Sequence, residues 1–149
     1  MTGIVGKGDT FENDVLLLIF NNTNAALVGD ATGLRGSSTA GSLYLALHTA
    51  DPTEAGSQTT SECAYTSYAR VAVARSAGGF TVSGSSCTLT STMSFPAATG
   101  GTEIATFFTV GTASSGAGKI LYGGSISPTI SISSGVTPQL TTGTTITEA

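Results

Sequence analysis

The sequence predicts a mainly β domain, an antiparallel sandwich or barrel with one short N-terminal helix. Three observations carry that prediction. Short apolar or alternating runs recur between turn signals at a spacing of roughly 8–12 residues, the rhythm of an all-β domain. Only the segment from Phe11 to Asn21 has helical periodicity. Among 149 residues there are 26 Thr, 19 Ser and 20 Gly, so the chain is rich in a β-branched residue that suits a pleated surface and in a residue that punctuates turns. The length accommodates one domain with a core of useful size.

The elements follow in order. Residues 1–8 read as a flexible arm, because Gly3, Gly6 and Gly8 leave the backbone free. Asp9 or Thr10 is placed to cap a helix, with Glu12 as half of a capping box. The helix spans about 10–21, and Phe11, Val15, Leu18 and Ile19 form its apolar face. Leu16, Leu17 and Phe20 widen that face, so the helix must be buried in the domain or against a partner. A Gly/Ser/Thr loop, 29–42, leads to an apolar strand at Leu43–His48. Tyr68–Arg75 alternates as a half-buried strand, with Val71 and Val73 on one side and Arg70 on the other. Phe80–Ser83, Cys87–Thr90 and Met93–Phe95 follow as short strands. In the strand Ile104–Val110, the residues Ile104, Thr106, Phe108 and Val110 share a face. Gly111–Gly118 reads as a hairpin loop before Lys119–Tyr122. Gly123-Gly124 signals a tight turn or a bulge. Ser125-Ile126, Ile130–Ile132, the stretch 136–140 and Thr144–Thr147 complete eight to ten strands in one sandwich domain over 9–149.

Charge limits the partners. Five Lys and Arg against nine Asp and Glu give a net charge of −4, which cannot supply the phosphate contacts of nucleic-acid binding. The longest strongly apolar run, Val15–Phe20, is far below the roughly 20 residues that span a bilayer, and no signal-peptide pattern surrounds it. A hydroxyl-rich, nearly neutral surface can instead lie against another protein while desolvating few ions.

Residues for chemistry are sparse, and no catalytic residue, metal site or cofactor is expected. The lone His48 ends an apolar strand and reads as structural. Asp51 and Glu54 form a solvated turn more readily than a calcium loop. Gly111–Lys119 breaks the phosphate-loop spacing and lies between strands. Tyr44, Tyr65, Tyr68 and Tyr122 read as sheet packing, with sugar stacking as the functional alternative. Cys63 and Cys87 can pair or remain two buried thiols. With so few cations, Arg35, Arg70, Arg75 and Lys119 are each candidates for a defined ion pair or an interface.

One resemblance adds to this reading. The order TFENDVLLLIFNN, SLYLALHTADPTEAGSQTTSE, YARVAV, SFPAAT, ATFFTV, KILYGGSI and SSGVTPQLTTGTTITEA resembles a family of small proteins of tailed bacteriophages, often labelled tail-fibre-like. Its most specific pieces are ALHTADPTEAG and YARVAV. Some members resemble capsid cement, or decoration, proteins with a jelly-roll-like sandwich. The chain departs from similar ones by lacking Trp before Ile104 and by a longer 29–42 loop. The resemblance implies a structural virion protein, without enzymatic activity, that binds the major capsid protein on the outer head surface, where closed symmetry makes a dimer or trimer the default. The second implied function is a tail or fibre component, with glycan binding as one role. A third reading, apart from the resemblance, is a secreted hydrolase-like or lectin-like β domain outside any virus. Candidate contacts to capsid or neighbouring subunits are Ile4, Val5, Phe11, Leu16, Phe20, Arg35 and Arg70.

Overall fold

The computed structural model describes residue 3 and residues 6–149. Among them are one helix and nine strands, so the protein is mainly β with antiparallel pairing. The chain divides into two compact units, each assembled from separated stretches.

The first unit takes residues up to Gly41, Ala74–Ser91 and Thr141–Ala149. Its helix α1 (Asp9–Asn21) begins without a side-chain cap. Gly8 occupies the N-cap position in an extended conformation, so Asp9 falls inside the first turn rather than capping it. There, with Glu12, it faces the positive end of the helix dipole. Asn22 ends the helix in the left-handed region at φ 55°, and the Thr23 N–H reaches the Leu17 carbonyl at 3.0 Å.

No basic residue lies in the last turn of α1. Arg75, more than fifty residues away, supplies the missing cation. Its Nε donates to the Ile19 carbonyl at 2.6 Å and its Nη2 to the Leu18 carbonyl at 2.7 Å. Two carbonyls that the helix leaves unpaired are thereby satisfied by a charged donor.

The helix packs on the sheet formed by β3 (Phe80–Ser83), β4 (Ser86–Leu89) and β9 (Thr145–Thr147), in the order β3-β4-β9. Val82 pairs with Cys87, and Cys87 with Ile146. Leu16, Phe20, Phe80, Cys87, Leu89 and Ile146 form the core. Phe20 meets Phe80 edge-on, with ring centroids 4.8 Å apart. The buried stripe therefore runs through Leu16 and Phe20, rotated from the expected Phe11, Val15, Leu18, Ile19 face. Six consecutive apolar residues, 15–20, leave the choice of face to the sheet. Lys7, expected in a loose arm, instead pairs with Glu148 and donates to the Ala149 carbonyl at 2.7 Å.

The second unit takes Ser42–Val73 and Thr92–Leu140. Its main sheet has the order β2-β1-β6-β7, from β1 (Ser42–His48), β2 (Val71–Ala74), β6 (Glu103–Gly111) and β7 (Ile120–Ile132). β2 ends where the first unit resumes. β5 (Met93–Ser94) and β8 (Gln139–Leu140) form a separate pair. Leu45 faces Val110 across the sheet and Leu47 faces Phe108, the close antiparallel pairs that build this core.

Three features of this sheet differ from expectation. β2 begins at Val71 rather than Tyr68, because the chain turns just before it: the Tyr68 N–H donates to the Tyr65 carbonyl at 2.9 Å and Ser67 sits at φ 81°. In β6, Ala105 is buried and Ile104 is 51% exposed, whereas Phe108 and Val110 are buried as expected. The pairing also shifts at this point: Ala105 pairs with Ile130 but Phe107 with Ser125, so residues 126–129 of β7 bulge opposite Thr106. From Phe108 to Gly111 the strand is buried on both faces, whereas at its start only the Ala105 face is covered and Ile104 is left outward. Finally, β7 runs unbroken through Gly123-Gly124. A Cβ on Gly124 would lie 3.2 Å from the Phe108 ring, and one on Gly123 would lie 2.9 Å from the Phe108 carbonyl. These glycines make room for β6 rather than turning the chain.

Candidate functional site

Three charged residues of the second unit, Glu62, Arg70 and Glu103, are used internally. Glu62 and Arg70 form a two-pronged ion pair, Nε to Oε1 at 2.7 Å and Nη2 to Oε2 at 2.8 Å. Their side chains are 3% and 14% exposed, Arg70 being the more enclosed. Arg70 also donates to the carbonyls of Ala113 at 3.0 Å and Gly116 at 2.7 Å. The Tyr68 hydroxyl donates to Glu62 Oε1 and accepts the Leu47 N–H. The hydrogen bond to Glu62 raises the Arg70 pKa above its ordinary value, and burial raises that of the Tyr68 phenol. Arg70 thus fastens the 111–118 loop through its carbonyls. Gln58 joins it: its Oε1 accepts the Ala113 N–H at 2.9 Å, and its side chain fills space that a Cβ on Gly111 or Gly118 would occupy.

His48 is fully buried. Its Nδ1 lies 2.8 Å from the Thr60 carbonyl and its Nε2 lies 2.8 Å from Thr109 Oγ1. A carbonyl only accepts, so Nδ1 carries the proton and Nε2 accepts from the Thr109 hydroxyl. Burial holds the imidazole below its usual pKa, which keeps it neutral. Both cysteines are free and buried, and desolvation pushes each thiol up to about 12. Glu103, with no local sequence signal for the role, ties down a distant loop by accepting the N–H groups of Ala64 and Tyr65 at 2.8 and 2.9 Å.

The predicted contact residues divide clearly. Ile4 and Val5 lie outside the described residues. Leu16 and Phe20 are enclosed by their own unit, so their side chains present nothing to a second molecule. Arg70 is committed to Glu62. Phe11 is exposed at 37%. Arg35 is exposed and pairs with Asp30 at 2.8 Å, holding that carboxyl below the usual range.

Arg35 belongs to a pinned surface loop. Ala25 and Leu34 exchange two backbone hydrogen bonds of 2.9 Å. Gly33 sits at φ 74°, where a Cβ would overlap the Ala25 carbonyl, and its N–H donates to Asp30 at 2.8 Å. At the exposed surface of this loop stand Leu27, 81% exposed, with Val28 and Leu34. Sequence reading missed these three because they show no periodicity.

An open cleft of about 630 Å³ lies elsewhere, in the second unit. The Asp51–Glu54 turn forms one side, and Phe107–Thr109 with Ile120–Gly124 form the other. Among the described residues, no three His, Cys, Asp or Glu side chains are grouped to hold a metal ion, and no helix is long and apolar enough to cross a membrane.

A family model described as "Podophage GP4 fiber I protein gp80" matches residues 8–148. No curated protein matched the chain.

Proposed function

The chain belongs to the podophage GP4 fiber I protein gp80 family, and from that membership we propose that it is a non-catalytic fibre component of a phage virion. The single observation that carries this reading is a family match spanning the helix, both units and all nine strands. The chemistry agrees. The histidine is buried and neutral, both thiols are buried and protonated, and the most enclosed cation holds a loop. Three of the exposed large apolar side chains, Leu27, Val28 and Leu34, stand together on one pinned loop.

That loop, Ala25–Leu34, is the surface we assign to a neighbouring virion subunit. Exposed large apolar side chains on a preorganised backbone gain from burial without a large ordering cost. Closed symmetry makes a homo-oligomer the natural neighbour.

Electron cryomicroscopy of the intact particle tests the assignment. A fibre component should occupy projecting density in tens of copies at most. Density spread over the head shell in hundreds of copies would replace the fibre reading with a capsid cement protein.

A further inference from the structure

We propose that the cleft beside the Asp51–Glu54 turn binds a neutral hexopyranose. The cleft's volume, about 630 Å³, lies within the range of small-molecule sites. Its two sides differ in chemistry. Phe107, Ile120 and Leu121, all half-buried, supply an apolar wall. Asp51 and Glu54, both exposed, supply an acidic rim. A pyranose has the complementary division, with an apolar face of C–H groups and a periphery of O–H donors. Ionised carboxylates only accept, so their partner must donate.

Charge narrows the class further. Among the described residues, no Lys, Arg or His lines the cleft. A uronate, a phosphorylated sugar or a free phosphate would meet two like charges with no cation to offset them.

The site is also built in advance. Asp51 Oδ1 accepts the Thr53 N–H at 2.9 Å, and the Gly56 N–H donates to the Thr53 carbonyl at 3.2 Å. Gly56 packs so tightly that a Cβ would overlap the Pro52 carbonyl. On the opposite side, the Thr109 hydroxyl is fixed by His48. Glu54 makes no hydrogen bond or ion pair among the described residues, so its carboxylate faces solvent with its acceptor capacity unused. A rigid rim with a spare acceptor binds without the cost of ordering itself.

The test is an NMR titration of the full ¹⁵N-labelled chain with the methyl α-glycosides of glucose, galactose and mannose, and with galacturonate as the charged control. At least one neutral glycoside should saturably shift amides in 53–55 and 120–124, and galacturonate should not. Glu54→Ala and Asp51→Asn should each weaken binding by about tenfold or more, the effect of losing one charge-assisted hydrogen bond. Neither should lower Tm, since Glu54 supports nothing in the fold and Asn at 51 still accepts the Thr53 N–H. The proposal falls if no glycoside shifts those amides, if galacturonate binds equally well, or if both variants bind like the native chain. The proposal is independent of virion position: density on the head would overturn the fibre reading and leave this one intact.

Discussion

Replacing Arg70 by Met tests the internal use of charge most directly. The change removes both prongs of the Glu62 pair and two charged hydrogen bonds to the carbonyls of Ala113 and Gly116. Glu62 is then left 14% exposed with the Tyr68 hydroxyl as its remaining side-chain donor. Breaking one side of an enclosed ion pair costs about 3–5 kcal/mol, because the surviving charge stays desolvated. For a chain of this size that is a fall in Tm of roughly 6–20 °C. The double variant Arg70→Met with Glu62→Gln removes the orphaned charge while keeping an acceptor for Tyr68. It should be more stable than the sum of the single changes implies, with a coupling of about 2 kcal/mol. Urea unfolding of the four proteins measures this, repeated at high salt, where so enclosed a pair should change little. A cost below about 1 kcal/mol for Arg70→Met, or strict additivity in the cycle, would refute the reasoning, since such values belong to solvent-exposed pairs.

Other outcomes follow from single contacts. Arg75→Ala should destabilise the first unit by about 2–3 kcal/mol and speed amide exchange at the end of α1, because two helix carbonyls lose a charged donor. Gly124→Val should cost about 1–3 kcal/mol in urea unfolding, since its Cβ would press on the Phe108 ring. Cys63 and Cys87 should resist an aromatic disulfide reagent at pH 8 in the native protein and react in urea. Their raised pKa values also set a pH dependence. Folded thiols stay protonated to about 12 while unfolded ones ionise near 9, so the unfolded state binds fewer protons in that window. Stability should therefore be intact below pH 9 and fall between about 9 and 12. Cys87→Ala should flatten part of that decline in an alkaline urea series.

Much of the fold is legible along the chain. The helix, the strands near Leu43–His48, Phe80–Ser83 and Ile104–Val110, and the hairpin loop before Lys119 each announce themselves within a few neighbours. Periodicity and turn residues act locally, so they survive in a linear reading. The site is legible only in part. Asp51, Glu54 and Tyr122 are visible as residue types, but the cleft they share joins segments nearly seventy residues apart in sequence. Glu62, Gln58 and Glu103 give no sign of their roles, because each acts on a partner that only folding brings near.

Composition and periodicity alone determined a hydroxyl-rich, weakly charged, mainly β protein with one helix. Those properties depend on what each residue is and on its immediate neighbours. The tertiary structure decided which face of α1 is buried, since 15–20 is apolar all round and only the β3-β4-β9 sheet distinguishes Leu16 and Phe20. It decided that Gly123-Gly124 stays within a strand, since only Phe108 requires the space. It also decided where the scarce charge goes: Arg75 to the helix end and Arg70 to Glu62. A buried charge must find a partner, and the fold determines which partner lies within reach.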